Sequence, residues 1–273
     1  MTTHTEHGLG ALEAMFERAS AQQRSAFMPY FPIGWPTIVD SLAAIEGMAA
    51  AGADGFEIGI PFSDPLADGP VIQAATQKAL ENGVTVRRCV EAVAELRSRG
   101  VQQPMLLMGY LNPLLAYGPE RFVGDAKGAG ADGLVIPDLP PDEATDWIRL
   151  CREADLALVF FLAPTSTPGR IKLVTERASG FIYVVSLTGV TGARTSLPEG
   201  LPGFLRQVRD QAGTLPLVLG FGISTPEHAE AVNGLTDGFI VGSALVRAGG
   251  QSTEAATALT ASIAGAIRRA AAV

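Results

Sequence analysis

Three carboxylates that fall close together, Glu57, Asp64 and Asp68, are the side chains of this sequence best suited to chemistry. Glu57 interrupts an otherwise apolar run at 55–59 (GFEIG), and the loop after it reads PFSDPLADGP at 61–70. A carboxyl inside a buried strand is costly unless it is paired or protonated. Glu57 is therefore either an ion-paired core group or a functional one. Asp64 and Asp68, on a loop stiffened by three prolines, weigh toward function. One carboxyl in an apolar wall and another on a polar loop can have their pKa values pushed apart, so that one acts as an acid while the other stays ionised. Further acids and phenols stand at the ends of other apolar runs: Tyr110 and Asn112, Asp138 in IPDLPP, and Tyr183 in FIYVVS. Each of these serves packing or capping as readily as function.

A second signal is anion binding. The segments SLTGVTGART (186–195), GFGIS (220–224) and VGSAL (241–245) each place glycines directly after an apolar run. Glycine lets backbone N–H groups approach phosphate oxygens closely, and a helix start, here with the Ser243 hydroxyl, adds to the attraction. Glycines also simply turn a chain, but three such ends in this order favour phosphate. Of the three lysines, Lys78, Lys127 and Lys172 all fall in expected helices, which disfavours Schiff-base chemistry. His4 and His7 lie in the N-terminal tail and His228 stands alone, so no metal cluster is expected. Metal-free acid–base chemistry by carboxylates on a small phosphate ester remains.

The elements that must position these groups are eight short apolar runs, at 27–33, 55–59, 105–110, 133–138, 156–163, 181–186, 215–222 and 238–243, separated by helix-like stretches. Continuous apolar strands alternating with helices imply a parallel sheet covered on both faces. Eight such units predict a single (β/α)8 TIM barrel, with a doubly wound open sheet as the alternative. In a barrel the loops after the strands form the active site, where the acids and glycines above would gather. Leu12, Met15, Phe16 and Ala19 follow helical spacing ahead of the first strand and predict an extra N-terminal helix. Leu259, Ile263 and Ile267 do the same near the C-terminus. The barrel is expected over 11–273, with residues 1–10 a mobile tail. The connection at 61–104 must hold a substantial loop before its helix.

GADGFEIG at 52, GADGLVIP at 130 and GLTDGFIV at 234 repeat a pattern of helix end, Asp-Gly turn and strand. Their aspartates fall at strand N-terminal ends, the stability face of a barrel. The same repeat explains Gly128, Gly130 and Gly133, which spell a dinucleotide fingerprint but precede a strand instead of following one. The balance of 28 acidic against 20 basic residues, with no basic cluster, argues against a nucleic-acid binder. Cys89 and Cys151 are too few for a disulfide framework and read as buried hydrophobes of a reducing compartment. No apolar run is long enough to cross a membrane and the N-terminus lacks signal-peptide features, so a soluble cytoplasmic protein is expected.

The stretch GFEIGIPFSDPLADGPVIQ, with SLTGVTGAR, GFGIS and VGSAL in order, closely resembles the tryptophan synthase α subunit from about Ala26 to the C-terminus. The resemblance implies retro-aldol cleavage of indole-3-glycerol phosphate to indole and glyceraldehyde 3-phosphate, without metal or organic cofactor in this chain. Glu57 matches the family's proton-shuttling glutamate, and Asp68 the aspartate that holds the indole N–H. Tyr183 matches a tyrosine near the substrate and Tyr30 stands in the indole pocket, and Tyr110, read from its place on the same rim, is expected to bind substrate with them. Thr191 matches the threonine of the closing loop, and Gly192, Gly222, Gly242 and Ser243 map to the phosphate cradle. The resemblance also implies an αββα assembly with a pyridoxal-phosphate β subunit that receives the indole, and it puts Asp64 in the loop that touches β. Three positions depart from better-known members: Tyr30 replaces a frequent phenylalanine, Leu187 a sometimes basic residue, and Trp35 an acidic one. Alternatives are a stand-alone indole-3-glycerol-phosphate lyase, a catalytically weak activator of β, and a different phosphate-binding barrel isomerase.

Overall fold

A computed structural model describes residues 7–185, 200–220 and 222–271. Its eight strands close into a parallel barrel in chain order: β1 (Ala26–Pro32), β2 (Phe56–Gly59), β3 (Met105–Met108), β4 (Gly133–Val135), β5 (Ala157–Leu162), β6 (Ile182–Val185), β7 (Leu217–Gly220) and β8 (Gly238–Val241). Closure is made by β1 against β8, with Phe27 opposite Phe239 and Met28 opposite Ile240. Every strand overlaps one of the apolar runs, which are continuous because helices cover the outer face and packed side chains fill the inner one. The open-sheet alternative is excluded by the β1–β8 pairing.

The N-terminal helix spans Leu9–Ala21 and buries Leu12, Met15, Phe16 and Ala19, the stripe read from the sequence. The packed body begins earlier than the boundary expected at residue 10: the Gly8 N–H donates to Asp132 at 2.7 Å and Lys127 Nζ donates to the His7 carbonyl at 3.1 Å. Between β2 and β3 the long connection holds two helices, Pro70–Glu81 and Val86–Ser98. Gly83 turns the chain between them at φ 78°, and the Thr85 side chain caps the second by accepting from the Arg88 N–H. Lys78, Lys127 and Lys172 lie in helices, as expected. Gly128 ends a helix, Gly130 turns at φ 89° and Gly133 opens β4, so the apparent dinucleotide fingerprint is a helix-to-strand turn.

The repeated aspartates close the barrel floor by one recurring device. Asp54 accepts from Arg24 at 2.6 and 2.7 Å and from the Phe27 N–H at 2.8 Å, while its own N–H donates to the Phe27 carbonyl. Asp132 accepts from Arg97 at 2.6 Å and from the Met105 N–H at 2.7 Å, and donates back to the Met105 carbonyl. Asp237 does the same with Arg209 and Leu217. Each aspartate thus ties the strand it precedes to the start of the neighbouring strand.

Candidate active site

The opposite rim collects the other acids. Glu57 sits on β2 opposite Tyr30 of β1 and Leu106 of β3, and is 2% exposed. Its Oε1 is buried and has no hydrogen-bond partner among the described residues. Burial, reinforced by the nearby Asp68 charge, pushes the Glu57 carboxyl up to about 8. Among the described residues no cation pairs with Glu57, which leaves a buried acid rather than an ion-paired core group there.

Asp68 comes from the loop after β2. That loop is folded on itself by hydrogen bonds from the Leu66 N–H to the Asp64 carbonyl and from the Asp68 N–H to the Pro65 carbonyl. Gln73 anchors its far end through the Asp68 carbonyl at 2.9 Å. Tyr110, at the end of β3, links loop to barrel: its hydroxyl accepts from the Ala67 N–H at 3.0 Å and donates to Asp68 Oδ2 at 2.9 Å. Partial burial raises the Asp68 carboxyl to about 6, against the lowering pull of the Tyr110 hydroxyl. The two carboxyls are thus held at different proton affinities on either side of neutrality.

Tyr30 and Tyr183 complete the apolar wall. Both phenols are buried, and both are held well above their ordinary pKa by burial and by the Asp68 and Glu57 charges. Because β6 does not adjoin β2, the influence of Glu57 on Tyr183 runs across the barrel interior. Two glycines that end strands make room for these rings. A Cβ on Gly59 would lie 2.5 Å from the Tyr30 hydroxyl, and one on Gly220 would overlap the Tyr183 ring. Gly59 was not legible as a contact in the sequence, and Gly220 reads there only as part of the anion-binding GFGIS segment, although glycine within a strand is a signal of close approach. Sequence reasoning also passed over Phe62 and Phe161, whose rings lie 5.4 Å from Tyr110 and 4.6 Å from Tyr183.

Gly222, Gly242 and Ser243 take their expected places at the ends of β7 and β8. Gly222 has φ 91°, which favours glycine, and Ser243 opens the helix Ser243–Gly249. Thr191 and Gly192, with Leu187, lie outside the described residues. Asp64 is exposed on the loop beside Leu66, which is 92% exposed. Asp138 has a structural role, since its carboxylate accepts the Leu111 N–H at 2.8 Å, at the start of the helix Leu111–Tyr117. Asn112 is exposed on that helix. Among the described residues no cluster of His, Cys, Asp and Glu could hold a metal, and no helix is long and apolar enough to cross a membrane.

A closed parallel barrel whose mouth holds a buried, unpaired acid, a second carboxylate and glycine-lined strand ends is an enzyme of the TIM-barrel class. The model of the tryptophan synthase alpha chain family matches residues 16–271. The chain is 54% identical to the tryptophan synthase alpha chain of Chloroflexus aurantiacus over 231 residues, covering 85% of this chain and 86% of that one. It is 41% identical to the tryptophan synthase of Saccharomyces cerevisiae over 243 residues, covering 89% of this chain but 34% of that longer polypeptide. Among solved structures, a tryptophan synthase of Mycobacterium tuberculosis superposes with a TM-score of 0.89 at 37% identity, covering 96% of this chain and 99% of that one. The chain belongs to the tryptophan synthase alpha chain family, a family of lyases in tryptophan biosynthesis.

Proposed function

We propose that this chain cleaves indole-3-glycerol phosphate to indole and glyceraldehyde 3-phosphate and passes the indole to a β subunit. The observation that carries this reading is the Glu57 carboxyl, buried, unpartnered at Oε1 and protonated near neutral pH. Protonation of indole C3 by Glu57 turns the ring into an electron sink, and Asp68 at the ring N–H stabilises the positive charge that develops there. Removal of a proton from the hydroxyl on the carbon attached to the ring then drives cleavage. The C–C electron pair returns to the ring, the hydroxyl carbon becomes the aldehyde, and one proton gained at C3 balances one lost from oxygen. Glu57 serves both transfers, since a carboxyl that has given up one proton can take the next. Tyr30, Tyr110 and Tyr183 wall the ring, Gly192, Gly222, Gly242 and Ser243 hold the phosphate, and Thr191 belongs to the loop that closes over the site and helps orient the aspartate.

The reading needs no metal or organic cofactor in this chain; pyridoxal phosphate would belong to the partner. The αββα assembly with a β subunit is proposed from the family, and the tryptophan synthase structures the chain resembles are consistent with a partner. Asp64 and the exposed Leu66 beside it would face β. Two free, buried cysteines, Cys89 and Cys151, suit the cytoplasm.

The test is indole release from indole-3-glycerol phosphate by the purified chain, with and without a β subunit. Slow release that rises many-fold with β is the expected result. Fast release by the chain alone would make it a stand-alone lyase, and stimulation of β without cleavage an activator. No release under either condition would overturn the reading.

A further inference from the structure

We infer that Gly59 is a positioning residue of the reaction: having no side chain, it lets the Tyr30 phenol lie back over the end of β2 and keeps the space beside Glu57 and Asp68 open for a flat ring. The inference rests on the proposed reading of that site and concerns what sets its width. A Cβ at Gly59 would stand 2.5 Å from the Tyr30 hydroxyl oxygen, 2.8 Å from Cζ and 3.0 Å from Pro32 Cα. The backbone is poorly placed to yield, because Pro32 and Gly59 are register partners and the Ile33 N–H bonds the Gly59 carbonyl at 3.1 Å. The ring must therefore move.

At the base of the side chain there is slack: a Cβ on Gly242 would lie 3.6 Å from the Tyr30 Cβ and Cδ1 and 3.9 Å from Ile72 Cδ1, so the glycine there leaves an ordinary contact unfilled. The tight contact is therefore at the hydroxyl end, and a phenol displaced from position 59 shifts within the barrel mouth beside its register partner Glu57. The arrangement recurs across the barrel with the same register. Tyr30 stands opposite Glu57, two residues before Gly59, and Tyr183 opposite Val218, two residues before Gly220. Gly59 touches no reacting atom and acts through Tyr30.

The experiment is a double-mutant cycle of Gly59→Ala and Tyr30→Leu, read on kcat/KM for indole release with β present and on Tm, with Glu57→Gln in parallel. Gly59→Ala is expected to lower kcat/KM by about 10- to 100-fold, largely through KM, since a small misplacement near the reacting atoms is that costly. Adding Tyr30→Leu should restore kcat/KM to within a few-fold of the Tyr30→Leu single variant and recover the lost Tm. A double variant no better than Gly59→Ala would overturn the inference and assign the glycine to the Pro32 backbone contact. Wild-type kinetics in Gly59→Ala would overturn it too. If Gly59→Ala does not fold, a folded double variant supports the seat and an unfolded one refutes it. Turnover surviving in Glu57→Gln would fail the proposed chemistry, and the Tm cycle would then still decide the seat.

Discussion

Asp132 on the barrel floor and Glu57 at its mouth are equally hidden, at 0% and 2% exposure, yet the fold treats them in opposite ways. Burial raises the proton affinity of Asp132, and Arg97 with the Gly8 and Met105 N–H groups pulls it only part of the way back, so it stays raised but held by donors. Glu57 meets the same desolvation with no cation beside it among the described residues and with Asp68 pushing the same way. A floor carboxylate supplied with donors ties strands together. A mouth carboxyl denied them holds a proton at neutral pH and is ready to exchange it. The local chemistry is a carboxyl in a barrel both times, and the partners decide whether it is structure or reactivity.

The largest effect expected from breaking that contrast is at Glu57. Glu57→Gln should lower turnover by about 10²- to 10⁴-fold, the range for a lost general acid–base, with substrate binding retained. Stability should move in the other direction. The folded state holds the Glu57 proton up to about 8 against an ordinary 4.5, so the wild type loses stability as pH rises between those values. Chemical denaturation at pH 4.5 and at pH 8 should show the gap between variant and wild type shifting in favour of Glu57→Gln at the higher pH.

On the floor, Asp132→Ala should cost roughly 3–5 kcal/mol, because it leaves Arg97 without its carboxylate. Tm should fall, while kcat of the protein that remains folded should be unchanged. A lower kcat at constant fold would erase the division between floor and mouth.

Asp68→Asn should cost about 2–4 kcal/mol of transition-state stabilisation, measured on kcat/KM. A wild-type rate would remove Asp68 from the mechanism. The contrast sharpens further in the pH profile. With Asp68 ionised above about 6 and Glu57 protonated below about 8, kcat/KM should be bell-shaped between those values. The smallest effect is expected from Tyr110→Phe. Loss of its hydrogen bond removes a lowering influence on Asp68, so the acidic limb should move to higher pH, with a loss of less than about tenfold near pH 8.

Much of this was legible in the chain itself. Each strand is a run of apolar residues, and the Asp-Gly repeat marks strand starts through turn chemistry, both signals that span a few neighbouring residues. Glu57 was legible because an acid breaks such a run, and the floor aspartates because the repeat put them before strands and not after. Asp138 was ambiguous. Its position after β4 fits either a substrate contact or a cap, and only the Leu111 N–H, 27 residues earlier in sequence, shows which role it has. The anchoring of Gly8 was hidden for the same reason, since its acceptor, Asp132, is 124 residues away.

The order of strands, the count of units that closes a barrel and the face on which each acid would lie were thus determined by the sequence alone, through periodicity and turns that act over short distances. Tertiary structure decided the rest. It left Glu57 Oε1 without a hydrogen-bond partner among the described residues, brought Tyr110 to Asp68 across 42 residues of chain, and laid two tyrosines over two glycines. Proton affinity and ring position depend on which groups meet within a few ångströms, and in a barrel those groups come from strands far apart in sequence.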